Sequence, residues 1–105
     1  MFNILKNLFT SGDNSQLAEA IKEGAFLVDV RTASEFSAGS VPGAVNIPLD
    51  KIGSRLSAFR NRKSIVVFCQ SGGRSSQAKR ILEQNGYQQV INGGGWQNVY
   101  RVATA

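Results

Sequence analysis

One residue in this chain has the chemistry of a nucleophile and surroundings suited to using it. Cys69 is the sole cysteine, and it closes the apolar run Ser64-Ile65-Val66-Val67-Phe68. The segment after it, Gln70-Ser71-Gly72-Gly73-Arg74-Ser75, leads straight into a helical pattern. A free thiol with a pKa of about 8.5 is only a few per cent thiolate at pH 7. Lowering that pKa by about two units takes roughly 2.7 kcal/mol of differential stabilisation. A helix N-terminus offers unpaired N–H groups and a partial positive charge. Gly72 and Gly73 let the backbone curl so that successive N–H groups converge on an anion, and Arg74 adds a cation. A free cysteine also commonly serves as a small apolar residue finishing a core strand. The glycine pair and the arginine at a helix start weigh toward chemistry.

The rest of the composition narrows that chemistry. The 105 residues contain no histidine, which removes Cys-His and Ser-His dyads and most zinc sites. A single cysteine forms no internal disulfide and no C-x-x-C redox pair, so Cys69 completes any reaction with a thiol from elsewhere or with none. The net charge of +5 suits a small anionic substrate. The cations Lys22, Arg31, Arg55, Arg62, Lys79 and Arg101 are scattered, however, and without interleaved aromatics they give nucleic-acid binding little support. Neither a cofactor nor a metal is expected.

Those residues have to be positioned by an α/β domain. Length points to one domain, and 42% hydrophobic residues are enough for a core without disulfide or metal staples. Residues 1–14 read as a separate N-terminal segment and 15–105 as the domain. The stretch Met1 to Phe9 has a hydrophobic face interrupted by Asn and Lys, with neither a continuous apolar region nor a cleavage site. It is expected to form a short helix packed on the domain and not a membrane anchor, and the protein is expected in the cytoplasm.

From there, Leu17 and Ile21 mark a helix ended by Gly24, and Ala25 to Val30 reads as a buried strand. Thr32-Ala33-Ser34-Glu35 fits a capping box. Val41-Pro42-Gly43 is a turn, and Ala44 to Ile47 a brief strand stopped by Pro48. The spacing of Ile52, Leu56 and Phe59 predicts a helix, and Ser64 to Cys69 a central parallel strand. A helix is predicted from Ser75 to Asn85 and a last strand from Gln88 to Ile91. Trp96, Val99 and Tyr100 follow the three glycines Gly93 to Gly95 at helical spacing. Strands alternating with helices imply a mainly parallel sheet with helices on its faces.

With these segments in view, the chain resembles the rhodanese family. Cys69-Gln70-Ser71-Gly72-Gly73-Arg74-Ser75 is similar to that family's active-site loop, a cysteine with four residues before an arginine. Leu27-Val28-Asp29-Val30-Arg31, Glu35-Phe36, Gly39 and Val41-Pro42-Gly43-Ala44-Val45-Asn46-Ile47-Pro48 resemble its upstream signature, and Asn92-Gly93-Gly94-Gly95-Trp96 its C-terminal glycine segment. The three motifs stand in the right order over about residues 15 to 102. The resemblance implies a rhodanese-like fold, a mainly parallel sheet of four to five strands flanked by helices on both faces. It also implies a sulfurtransferase in which Cys69 takes the outer sulfur of thiosulfate or another sulfane donor. The resulting persulfide passes that sulfur to cyanide, a small thiol or a thiol-bearing protein. On this reading the loop from Gln70 to Ser75 holds the charged sulfur and Arg74 attracts the donor. Asp29 belongs to the supporting residues, and Arg31 paired with Glu35 braces the neighbouring loop. An ordinary surface pair at i,i+4 explains Arg31 and Glu35 equally well. Ser40 departs from the family, which commonly has histidine there, and no clear strand precedes the first helix.

Two alternatives stay open. A persulfide carrier would receive sulfur from a protein donor and hand it to a partner. A cysteine phosphatase or arsenate reductase on the same scaffold is disfavoured, because related phosphatases have one more residue between cysteine and arginine.

Overall fold

The computed structural model of the chain describes residues 14–105. The short helix expected in the N-terminal segment, and any strand ahead of the first helix, lie outside the described residues.

Four strands make one parallel sheet among these residues: β1 (Phe26–Asp29), β2 (Val45–Asn46), β3 (Ile65–Cys69) and β4 (Val90–Gly95). Their spatial order is β2-β1-β3-β4. From β1 the chain goes first to the β2 side, then crosses to β3 on the other flank. That reversal opens a crevice beyond the carboxyl ends of β1 and β3, where open parallel sheets bind ligands. β3 is central and fully buried, and β-branched and aromatic residues on both of its faces are what such a strand requires.

The alternation along β3 sorts the core into two layers. Ile65, Val67 and Cys69 join Val28, Val30, Ile47, Ile52, Phe59, Ala78 and Leu82 on one face. That face is covered by α3 (Gly73–Gln84) and by two 3-10 helices, Leu49–Ser54 and Leu56–Phe59. Val66 and Phe68 meet Leu17, Ala20, Val41 and Val99 on the other face, under α1 (Ser15–Lys22) and α4 (Trp96–Ala103). Helices therefore flank both faces, as the sequence predicts. The Cys69 side chain points toward α3.

A short α2 (Ala33–Ser37) follows β1 and starts with a complete capping box. The Thr32 hydroxyl accepts from the Glu35 amide at 3.2 Å, and the Glu35 carboxylate accepts from the Thr32 amide at 3.0 Å.

Two expected elements take a different form. The segment around Ile52, Leu56 and Phe59 is 3-10 in place of α. Its amides reach back three residues, as Lys51 does to Pro48 and Arg55 to Ile52. Gly53, Ser54 and Ser57 are weak helix formers that do not sustain the longer hydrogen-bond ladder, yet Ile52 and Phe59 still reach the core with no exposure. The last strand also runs four residues past Ile91, through all three glycines. It pairs Phe68 with Gly94 and Cys69 with Gly95 after a register shift at Val67/Phe68. These glycines are required by close approach. A Cβ on Gly93 would lie 2.6 Å from Val99 Cγ2, and one on Gly95 would lie 2.8 Å from the Gln70 carbonyl oxygen.

Candidate active site

Cys69 is the last residue of β3, and α3 begins four residues later. The intervening turn closes because Gly72 has φ of +107°, a backbone conformation that costs glycine no steric penalty. This folds the start of α3 back over the strand end, and the thiol becomes almost fully buried at 1% exposure. The Gly72 amide donates to Cys69 Sγ at 3.0 Å and the Ser75 amide at 3.4 Å. Ser75 Oγ also lies 3.4 Å from the sulfur. The converging donors anticipated for residues 70–75 are thus supplied chiefly by Gly72 and Ser75.

Two opposing effects act on this thiol. Burial pushes its pKa up, while hydrogen bonds from the Ser75 hydroxyl and from the amides of Ser75, Gly72 and Ser71 push it down. The hydrogen bonds win, and Cys69 ionises below its ordinary value. The Ser75 hydroxyl and the surrounding amides accomplish this without an imidazole.

Arg74 leaves the first turn of α3 and is clamped by Glu35, with Nη1 to Oε1 at 2.7 Å and Nη2 to Oε2 at 3.1 Å. This fork-to-fork geometry is the strong form of such a pair. Bonds from Arg74 and from the Thr32 amide hold the Glu35 carboxyl down at about 2. The guanidinium is correspondingly held more firmly protonated, chiefly by its hydrogen bond to Glu35.

The pairing of Arg31 with Glu35 suggested by their spacing is not formed. Thr32 is the N-cap of α2, so Arg31 lies ahead of the helix and the i,i+4 relation does not apply. Arg31 instead turns back on Asp29, with Nη2 to Oδ2 at 2.7 Å and Nε to Oδ1 at 3.0 Å. It also donates to the Gly39 carbonyl at 2.7 Å and lies 5.1 Å from the centroid of the Trp96 ring. Ser40, standing where the family commonly has histidine, donates to Asp29 Oδ2 at 2.7 Å. Asp29 and Arg31 are both buried. They lock the α2–β2 loop to the end of β1, and their hydrogen bonds go to each other, to Gly39 and to Ser40.

A further residue that the sequence left without a role is Asn92 of β4. Its Oδ1 accepts from Ser75 Oγ at 2.7 Å and from the Gly94 amide at 2.9 Å, and its Nδ2 donates to the Gly72 carbonyl at 3.3 Å. The local signal was its place in the glycine segment, but nothing local named Ser75 as its partner.

A buried thiol at the end of a central parallel strand, ringed by the amides of a helix start, gives this α/β domain the geometry of a cysteine-centred site. The chain matches the Rhodanese-like domain family over residues 13–101, and it belongs to that family. A protein of Allochromatium vinosum named "Sulfurtransferase" is 37% identical over 82 residues, which are 76% of this chain and 77% of that protein. "Thiosulfate sulfurtransferase PspE" of Escherichia coli is 36% identical over 74 residues, covering 69% of this chain and 71% of that protein. The solved structure of the human single-domain sulfurtransferase TSTD1 superposes with a TM-score of 0.67 at 33% identity, covering 79% of this chain and 88% of that one.

Proposed function

We propose that the protein is a rhodanese-type sulfurtransferase that carries sulfane sulfur on Cys69. The thiolate attacks the outer sulfur of a donor such as thiosulfate. An Sγ–S bond forms, the donor's sulfur–sulfur bond breaks, and sulfite leaves with the electron pair. The outer sulfur of the persulfide is then taken by cyanide, a small thiol or a thiol-bearing protein, and the Cys69 thiolate is the leaving group. The observation that carries this reading is the convergence of the Gly72 and Ser75 amides on a buried Sγ. Those donors stabilise the negative charge on sulfur both before attack and after release. The names of the relatives, sulfurtransferase and thiosulfate sulfurtransferase, agree with it.

The test is intact mass after incubation with thiosulfate. A gain of one sulfur atom, reversed by cyanide and absent from Cys69→Ala, is the expected result. An unchanged mass with every sulfane donor, including a desulfurase-bound persulfide, would sink the reading.

One observation favours a carrier in a sulfur relay over a free-standing thiosulfate enzyme. The Arg74 charge is already matched by Glu35, so the loop offers a small dianion less attraction than its sequence suggests. Loading by a desulfurase but not by thiosulfate identifies the carrier.

A further inference from the structure

The Ser75 hydroxyl has one proton and three acceptors within reach: Asn92 Oδ1 at 2.7 Å, the Gly72 carbonyl at 3.1 Å and Cys69 Sγ at 3.4 Å. The Gly72 carbonyl already receives the Ser76 amide at 3.0 Å and Asn92 Nδ2 at 3.3 Å, which fills its two lone pairs. The Gly94 amide and the Gly72 carbonyl fix which end of the Asn92 amide is oxygen, so its Oδ1 faces Ser75. The resting hydroxyl therefore gives its proton to Asn92 and turns a lone pair toward the sulfur. That arrangement suits a protonated thiol, which can donate to the lone pair. A thiolate reverses the preference and draws the hydroxyl proton to itself.

We infer that Asn92 is a positioning residue for sulfur transfer, acting through Ser75 as the acceptor that holds the hydroxyl proton whenever negative charge is not on Sγ. Resting on the persulfide reading above, the sequence is as follows. The hydroxyl swings to Sγ when the thiolate forms, and Asn92 Oδ1 keeps its bond from Gly94 meanwhile. Once sulfur has been accepted, the charge moves to the outer atom and the hydroxyl returns to Asn92. Asn92 thus opposes the thiolate and eases the departure of charge from Sγ, which keeps the sulfur reactive instead of buried in over-tight hydrogen bonds.

The charged groups of the surrounding elements are left unsubstituted in the test. They are Arg74 on α3, Glu35 on α2, and Asp29 with Arg31 at the end of β1. Asn92 is itself exposed, so removing its amide opens no cavity.

The experiment measures the rate of alkylation by iodoacetamide against pH for the parent, Asn92→Leu, Ser75→Ala and the double variant, with Asn92→Ala as a second replacement. Asn92→Leu and Asn92→Ala are expected to lower the thiol pKa by about half a unit to one unit. The rate on the high-pH plateau should fall by up to about threefold, because nucleophilicity declines with basicity. In the Ser75→Ala background the same change should produce no shift. An unchanged or raised pKa, or an equal shift in both backgrounds, overturns the inference. Alkylation needs no sulfur donor, so this outcome is read separately from the mass experiment that tests the persulfide itself.

Discussion

At the scale of single residues, the pair of Arg74 and Glu35 decides how the site meets an anion. Each side chain is about one-third exposed, so solvent weakens the bond between them without abolishing the field each exerts. Arg74→Ala is expected to raise KM for thiosulfate roughly tenfold, because it leaves the Glu35 carboxylate unopposed beside the loop. Adding Glu35→Gln should recover part of that loss, measured as KM in a thiosulfate-to-cyanide assay. The pH dependence has a definite sign. Glu35 is depressed to about 2, so the contribution of its pair is fully present above the ordinary carboxylate pKa and disappears only as pH falls toward 2. Between pH 5 and 9, reactivity should therefore show a single rise attributable to Cys69. A second inflection near pH 4 to 5 in the alkylation profile would show that Glu35 is not held by Arg74. The convergence of amides on Cys69 was legible in the sequence because donor and sulfur lie within six residues of one another. The partnership of Glu35 with Arg74 was not, since 39 residues separate them and only the fold brings their side chains together.

At the scale of elements, the glycine-bearing strand β4 sets the space available to the turn after Cys69. Gly93 faces Val99 and Val66, and Gly95 faces the backbone of Gln70. A methyl group at the two positions should therefore fail differently. Gly93→Ala is expected to destabilise the fold by about 1–3 kcal/mol through overpacking, with partial recovery when Val99→Ala is added. Gly95→Ala presses on the Gln70 carbonyl, which is main chain and has nowhere to give. It should cost more in Cys69 alkylation rate than in denaturation midpoint. Equal effects of the two substitutions on both readouts would count against this division. The sequence predicts the strand at Gln88 to Ile91, because glycines read as turn formers, whereas it starts at Val90 and continues through the glycines to Gly95. What kept them in the ladder was close approach by Val99 and Gln70, a tertiary reason invisible to local propensity. The 3-10 form of residues 49–59 escaped notice for a related cause, as hydrophobic spacing reports which residues face inward but not how tightly the backbone winds.

At the scale of the whole molecule, the buried ion pair of Asp29 and Arg31 ties together parts that are distant in sequence. It joins the end of β1, the loop at Gly39 and Ser40, and Trp96 at the start of α4. Removing one member strands a charge in the interior, so Arg31→Ala is expected to cost about 3–5 kcal/mol. Urea denaturation with an unchanged m-value checks this. Replacing both partners with apolar residues of similar volume should be milder than the single change, and a double variant no more stable than Arg31→Ala would contradict the account. The α/β class and the parallel sheet could be read from alternating strand and helix patterns, and the helices lie on both faces as expected. The internal wiring of this cluster could not, because Arg31 looks from its spacing like a neighbour of Glu35.

The edge strand β2 has one more consequence. Among the described residues it forms one border of the sheet and is only two residues long. Beyond Ile47 comes Pro48, which carries no N–H of its own. That border of the sheet consequently offers a foreign strand very little to template on. Self-association by strand addition should be weak there, and that side is a poor seed for fibrils.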